Sequence, residues 1–315
     1  MDIRKIPLKA FYYLVGRLYR HDNRIALNLF DYFPSYRAAA GELFNQLCRI
    51  CGLDFSCAVQ GVVVEPTNAC NLRCRHCTAQ NAPGKKGYMD YGMFVKLLDE
   101  NPQLTSMILT RNGEPFLHPQ IFKMIEYAKR RGIYVIAYTN GALLDDRIIE
   151  NVFSCGLDEL NFSLEGVGEY YEKNRGVDYK QCASTIRKIL RARTEASSRT
   201  KIGINTVTFE NGSGLSDVAR EWGGVVDHIT YEPLMGKRAE LRRSACRTLW
   251  RNSVITWEGD VVVCCSDIEG KLKVGNINDS TLREIFNGPE MRALRQRHLR
   301  KEFPEICKYC DPHFG

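Results

Sequence analysis

The 315-residue chain carries 44 Lys and Arg against 37 Asp and Glu, a net charge of +7, and is 44% hydrophobic, the balance of an ordinary globular protein. Its 13 cysteines are too sparse for a disulfide scaffold and fall at metal-type spacings, which points to a reducing cytoplasm. No apolar run reaches the ~18 residues that span a bilayer, no secretory pattern opens the chain, and the basic residues lack the aromatic interleaving of a dedicated nucleic-acid binder.

The length suits one barrel-sized core, a smaller module and a short extension. Residues 1–57 read as a helical extension. Ile6, Phe11, Tyr12, Leu14, Val15, Leu18 and Tyr19 repeat at helical spacing between basic residues. Such a stripe packs on the domain behind it, the preferred reading, or rests on a membrane surface. Cys48, Cys51 and Cys57 follow a helical run at 41–47 and read as helix packing.

Residues 58–232 alternate β-branched runs with helical patterns, the mark of β-α units and a parallel sheet. Strands are predicted at 61–65, 106–110, 134–139, 159–164, 201–208 and 227–231. Helices are predicted near 91–100, 120–131, 145–152, 179–194 and 216–222. Residues 233–315 change character: a basic stretch at 237–251 leads to a hairpin turning at Glu258-Gly259, then a helix near 281–286 and a cysteine-rich end. The basic stretch is a solvated linker or a contact for an anionic substrate.

The most telling string follows the first strand: Cys70, Cys74 and Cys77 at C-x3-C-x2-C. Three thiolates leave a cubane 4Fe-4S cluster one ligand short, and the open iron can bind a substrate or cofactor. A zinc site is the weaker alternative, since no fourth Cys or nearby His closes it well and His76 lies between two of the thiols. The triplet resembles the signature of the radical S-adenosylmethionine (SAM) superfamily. That resemblance implies an α/β fold, a partial (β/α)6 barrel with its site at the C-terminal rim of the strands. It also implies that SAM chelates the open iron and is cleaved reductively to a 5′-deoxyadenosyl radical that abstracts a hydrogen atom.

Further rim segments are similar to the family's SAM-binding motifs. Asn112-Gly113-Glu114-Pro115 resembles the G-G-E-P motif, with Asn112 in place of the first glycine, and implies that Glu114 and the backbone hold the SAM amino group. Asn140 lies in a T-N-G turn. Ser163 and Glu165 resemble the S-x-D-G segment facing the SAM ribose and carboxylate, with Glu for Asp. Asn205 sits on the fifth strand where other members contact SAM, and His76 is expected beside the adenine.

In the tail, Cys246, Gly259 and Cys264 read C-x12-G-x4-C, which resembles the opening of the SPASM module. With Cys307 and Cys310 the set resembles the abbreviated twitch form, and implies one auxiliary 4Fe-4S cluster; zinc is the alternative for these four thiols. Cys265, beside a ligand, reads as hairpin packing or as a hydrogen-atom donor. The resemblance implies an oxidoreductase that dehydrogenates or epimerises a sugar- or aminocyclitol-like small molecule, with the auxiliary cluster as electron acceptor and a flavodoxin or ferredoxin as reductant. Peptide maturation is the second reading. A non-catalytic iron-sulfur or zinc protein is a third, of another class.

Overall fold

The computed structural model describes residues 36–56, 59–81, 84–208, 214–233, 244–308 and 310. The stripe from Ile6 to Tyr19, Cys57 and the basic residues at 237–243 lie outside them.

Helix α1 (Tyr36–Ile50) buries Leu43 and Cys48 and packs on the 3-10 turn Arg247–Trp250 of the tail. Ser56 seals this contact, its hydroxyl lying 2.8 Å from Asn45 Oδ1 and donating to Trp250 O at 3.0 Å.

Six parallel strands follow, each beside the next: β1 (Gly61–Val64), β2 (Ser106–Leu109), β3 (Tyr134–Thr139), β4 (Glu159–Ser163), β5 (Lys201–Thr208) and β6 (His228–Pro233). Between them run α2 (Tyr91–Asp99), α3 (Ile121–Arg130), α4 (Asp146–Ser154), α5 (Glu169–Arg175), α6 (Tyr179–Glu195) and α7 (Leu215–Trp222). Side chains alternate across each strand. Val62, Val64, Met107, Leu109, Leu160, Phe162, Ile202 and Ile204 therefore join the buried core under the helices, while the intervening residues form the other, inner face. Aspartates start three of the helices: Asp90, Asp145 and Asp178 each accept a backbone N–H of the first turn. β1 and β6 do not pair, so the barrel is open.

The tail is more closely joined to the barrel than its sequence suggests. β7 (Asn252–Ile255) pairs with β1 in parallel, in the register Val62↔Ser253, and β8 (Asp260–Val262) and β9 (Lys273–Asn276) continue antiparallel, making one sheet of nine strands. An unpaired β1 edge would expose a row of backbone donors and acceptors, and β7 covers it. Gly259 has φ +86, the conformation its hairpin turn requires. Helices α8 (Leu282–Phe286), α9 (Pro289–Leu299) and α10 (Glu305–Lys308) close the chain.

Among the described residues no helix is long and apolar enough to cross a membrane. Three helices escape the sequence reading, the four-residue α10 among them. The seven residues of α5 offer no clear apolar stripe, and α9 buries Arg295 and His298 beside Met291 and Leu294, so its inward face reads as polar.

Candidate functional site

The loop leaving β1 is shaped by its own polar side chains. Thr67 Oγ1 donates to Gly87 O at 2.6 Å and accepts Ala69 N–H, and Asn68 bridges Lys85 and Gly87. Along this loop Cys70 is exposed, Cys74 buried and Cys77 half-buried. Burial pushes the Cys74 thiol up, and Cys77 beside it pushes in the same direction. A cationic centre favours thiolates at such positions, which is the donor chemistry a cluster requires.

The second and third rim turns lock onto this loop. Gly113 lies so close to it that a Cβ there would be driven into the carbonyl oxygens of Thr67 and Ala69, and Glu114 N–H donates to Ala69 O at 2.8 Å. The Glu114 carboxylate is 2% exposed and accepts from Thr139 Oγ1, Asn140 N–H and Phe116 N–H. Burial raises it to about 7 against these hydrogen bonds. Of about four acceptor sites on a carboxylate, one remains for an ammonium. Pro115 opens the 3-10 turn Pro115–Leu117. Asn140 Nδ2 donates to Asn71 Oδ1 at 2.9 Å and lies 3.9 Å from Cys70 Sγ.

On the fourth turn Glu165 is gripped by Arg175 from α5 through both carboxylate oxygens, with Nη2 to Oε1 at 2.6 Å. Arg175 Nη1 also lies 3.5 Å from Cys74 Sγ. His76 Nε2 stands 3.8 Å from Glu165, and burial lowers its pKa so that the ring is neutral. Asn112 Oδ1 and Asn205 Oδ1 are buried without a hydrogen-bond partner among the described residues. They are the sort of acceptors a polar cofactor satisfies. Ser163 ends β4 in register with Asn205.

The tail thiols separate by side of the sheet. Cys264 packs with Cys246 on the helix-covered core, whereas Cys265 packs on the inner face with Val63, Ile108, Val254 and Val262. Burial pushes the Cys264 thiol up, and Cys246, Cys265 and Cys307 push it further. Cys310 N–H donates to Cys307 O at 3.3 Å. Burial raises Cys265 to about 11; Arg111 opposes the shift, and Glu232 and Glu65 reinforce it. Among the described residues no three His, Cys, Asp or Glu side chains close on one metal ion. The ligands of a cubane, each on its own iron, need not.

The radical SAM superfamily model matches residues 64–221, and the SPASM iron-sulfur cluster-binding domain model matches residues 246–311. The chain belongs to the radical SAM superfamily. It carries SPASM at its C-terminal end, and SAM and 4Fe-4S clusters are the cofactors these domains imply. It is 33% identical over 168 residues to a tungsten-containing aldehyde ferredoxin oxidoreductase cofactor-modifying protein of Pyrococcus furiosus, covering 50% of this chain and 46% of that protein. A PqqA peptide cyclase of Gluconobacter oxydans is 24% identical over 300 residues, 79% of this chain and 82% of the cyclase. The matches span about half the length of the first two curated relatives. Among solved structures, BtrN in complex with AdoMet and 2-DOIA has TM-score 0.59 at 19% identity, covering 81% of this chain and 93% of BtrN. Streptococcus suis SuiB bound to precursor peptide SuiA has TM-score 0.64 at 11% identity, covering 88% and 78%. These likenesses establish the shared fold, a radical SAM partial barrel.

Two neighbours of the thiols are absent from the sequence reading. Arg175 has a signal, an Arg-Gly pair ending a short helix ten residues after Glu165. His298, whose Nδ1 accepts Cys246 N–H at 3.3 Å, sits 52 residues away on α9, and no local pattern marks it. A groove between α4 and α6 is lined by Asp146, Phe153, Lys188 and Arg191. It lies on the outer helical layer and contains none of the thiols or rim residues.

Proposed function

We propose that Cys70, Cys74 and Cys77 hold the cluster that binds SAM, and that Cys246, Cys264, Cys307 and Cys310 hold an auxiliary 4Fe-4S cluster. Bound together, the first cluster and SAM supply a 5′-deoxyadenosyl radical able to take a hydrogen atom from an unactivated C–H. The protein's residues then orient and shield. Gly113 and the Glu114 backbone present a close-fitting rim to the SAM amino group, and the Glu114 carboxylate fixes the Asn140 turn. Arg175 orients Glu165 and places positive charge against Cys74. Asn112, Ser163 and Asn205 offer polar atoms to the ribose and carboxylate, and His76 offers a neutral ring to the adenine.

The substrate class proposed is a sugar- or aminocyclitol-like small molecule, dehydrogenated or epimerised. The observation that carries this reading is the divergence of Cys264 and Cys265. One thiol faces the auxiliary set, while its neighbour faces the inner surface near Arg111, Glu65 and Glu232. The inner face thus offers a thiol able to return a hydrogen atom, next in sequence to a proposed ligand of the electron acceptor. Peptide modification is the second reading, favoured by the long match to a peptide cyclase. A flavodoxin or ferredoxin in a reducing cytoplasm is the proposed electron source.

The test is the Cys70→Ala/Cys74→Ala/Cys77→Ala variant, reconstituted anaerobically and assayed for dithionite-driven 5′-deoxyadenosine. Cleavage should vanish while about four irons stay in the tail. Undiminished cleavage would sink the ligand assignment.

A further inference from the structure

Arg111 stands where the barrel rim meets the tail. It follows β2, directly precedes Asn112-Gly113-Glu114, and adopts φ +138, a conformation L residues rarely enter. Strain of this kind persists only where the surroundings over-determine it, and it concentrates at functional sites. The side chain is 4% exposed. Nη1 donates to Glu65 Oε1 at 3.0 Å, and Nη2 donates to Asp267 O at 2.7 Å and Ile268 O at 3.4 Å.

Glu65 is equally occupied. Its Oε1 also accepts Asn112 N–H and its Oε2 accepts Trp257 N–H, both at 3.3 Å. Asp267, fully buried, folds its own loop by accepting Lys271 N–H at 2.8 Å and Leu272 N–H at 2.7 Å. One buried ion pair therefore ties four segments: the end of β1 that launches the Cys70 loop, the Asn112-Gly113-Glu114 turn, the hairpin turn at Trp257, and the loop after Cys265. A buried pair is a costly way to fill space, because desolvation opposes it and apolar residues would pack as well.

We propose that Glu65 and Arg111 are positioning residues that hold the loop of Cys264 and Cys265 in fixed register with the loop of Cys70 to Cys77. A substrate on the inner face then meets both at a set separation. The proposal rests on the reading of Cys264 as an auxiliary-cluster ligand.

The test compares wild type with Glu65→Gln/Arg111→Met, which removes both charges together and leaves neither buried alone. It adds Arg111→Lys, which keeps a charge for Glu65 but loses the planar fork that reaches two segments at once. Each protein is reconstituted anaerobically and its iron counted. Pulsed EPR of the reduced protein reads the distance between clusters, and hydrogen exchange reads residues 264–272 against β3 and β4. The expected result is unchanged iron, a broadened distance distribution, and exchange roughly tenfold faster at 264–272 but not in β3 or β4 in the double variant, with Arg111→Lys intermediate. A distance distribution and exchange pattern matching wild type would overturn the proposal, as would acceleration spread equally over β3 and β4. If wild type shows only one cluster, the auxiliary-cluster reading fails by itself, and the exchange pattern still decides whether the pair positions the loop.

Discussion

Cys264 and Cys265 are adjacent in the loop that follows β8, yet they pack against different clusters of the core. Replacing each with Ala separates their roles. Cys264→Ala should lose about four irons per chain while Cys265→Ala keeps them all, as read by iron and sulfide analysis of reconstituted protein. Equal iron loss in the two would contradict the assignment. Gly113 gives a second residue-level expectation, because an added Cβ would meet backbone carbonyls that have no rotamer to escape into. Gly113→Ala should cost about 1–3 kcal/mol in a urea melt, the range for overpacking a close-fitted site. The spacing of Cys70, Cys74 and Cys77 was legible in the sequence because the three fall in one short loop. His298 and the Glu65–Arg111 pair were not, because their contacts lie 46 to 192 residues apart in sequence.

At the scale of elements, α9 illustrates why a polar face can be a buried one. Arg295 is fully buried, donating to Leu249 O at 2.7 Å, Asp54 O at 3.0 Å and Asn287 Oδ1 at 3.2 Å, with its guanidinium over the Trp250 and Phe286 rings. Burial lowers it to about 9, still charged at neutral pH. Arg295→Ala should destabilise the tail by about 3–5 kcal/mol, since it leaves carbonyls unpaired and opens a cavity. Denaturant unfolding checks this, and a loss below 1 kcal/mol would contradict it. The β-α alternation read from the sequence matches the six parallel strands and every connecting helix but α5 to within a few residues, because period-2 and helical patterns are local. The parallel pairing of β7 with β1 was not legible, since strand partners nearly 200 residues apart leave no mark on either strand.

On the whole-molecule scale, the nine-stranded sheet makes barrel and tail one body. The tail also anchors α1 through Ser56, Asn45 and Trp250. Ending the chain before Cys246 should therefore bare the β1 edge and yield aggregated protein on size-exclusion chromatography; a monodisperse, folded barrel would show that the tail is a dispensable addition. The measurement that tests the central claim most directly is anaerobic reconstitution, with iron and sulfide counting and a dithionite-driven assay for 5′-deoxyadenosine in the same sample. The account predicts about eight irons per chain together with SAM cleavage. About four irons would remove the auxiliary cluster and the electron-acceptor argument with it, and a fully loaded protein that leaves SAM intact would contradict the radical chemistry itself.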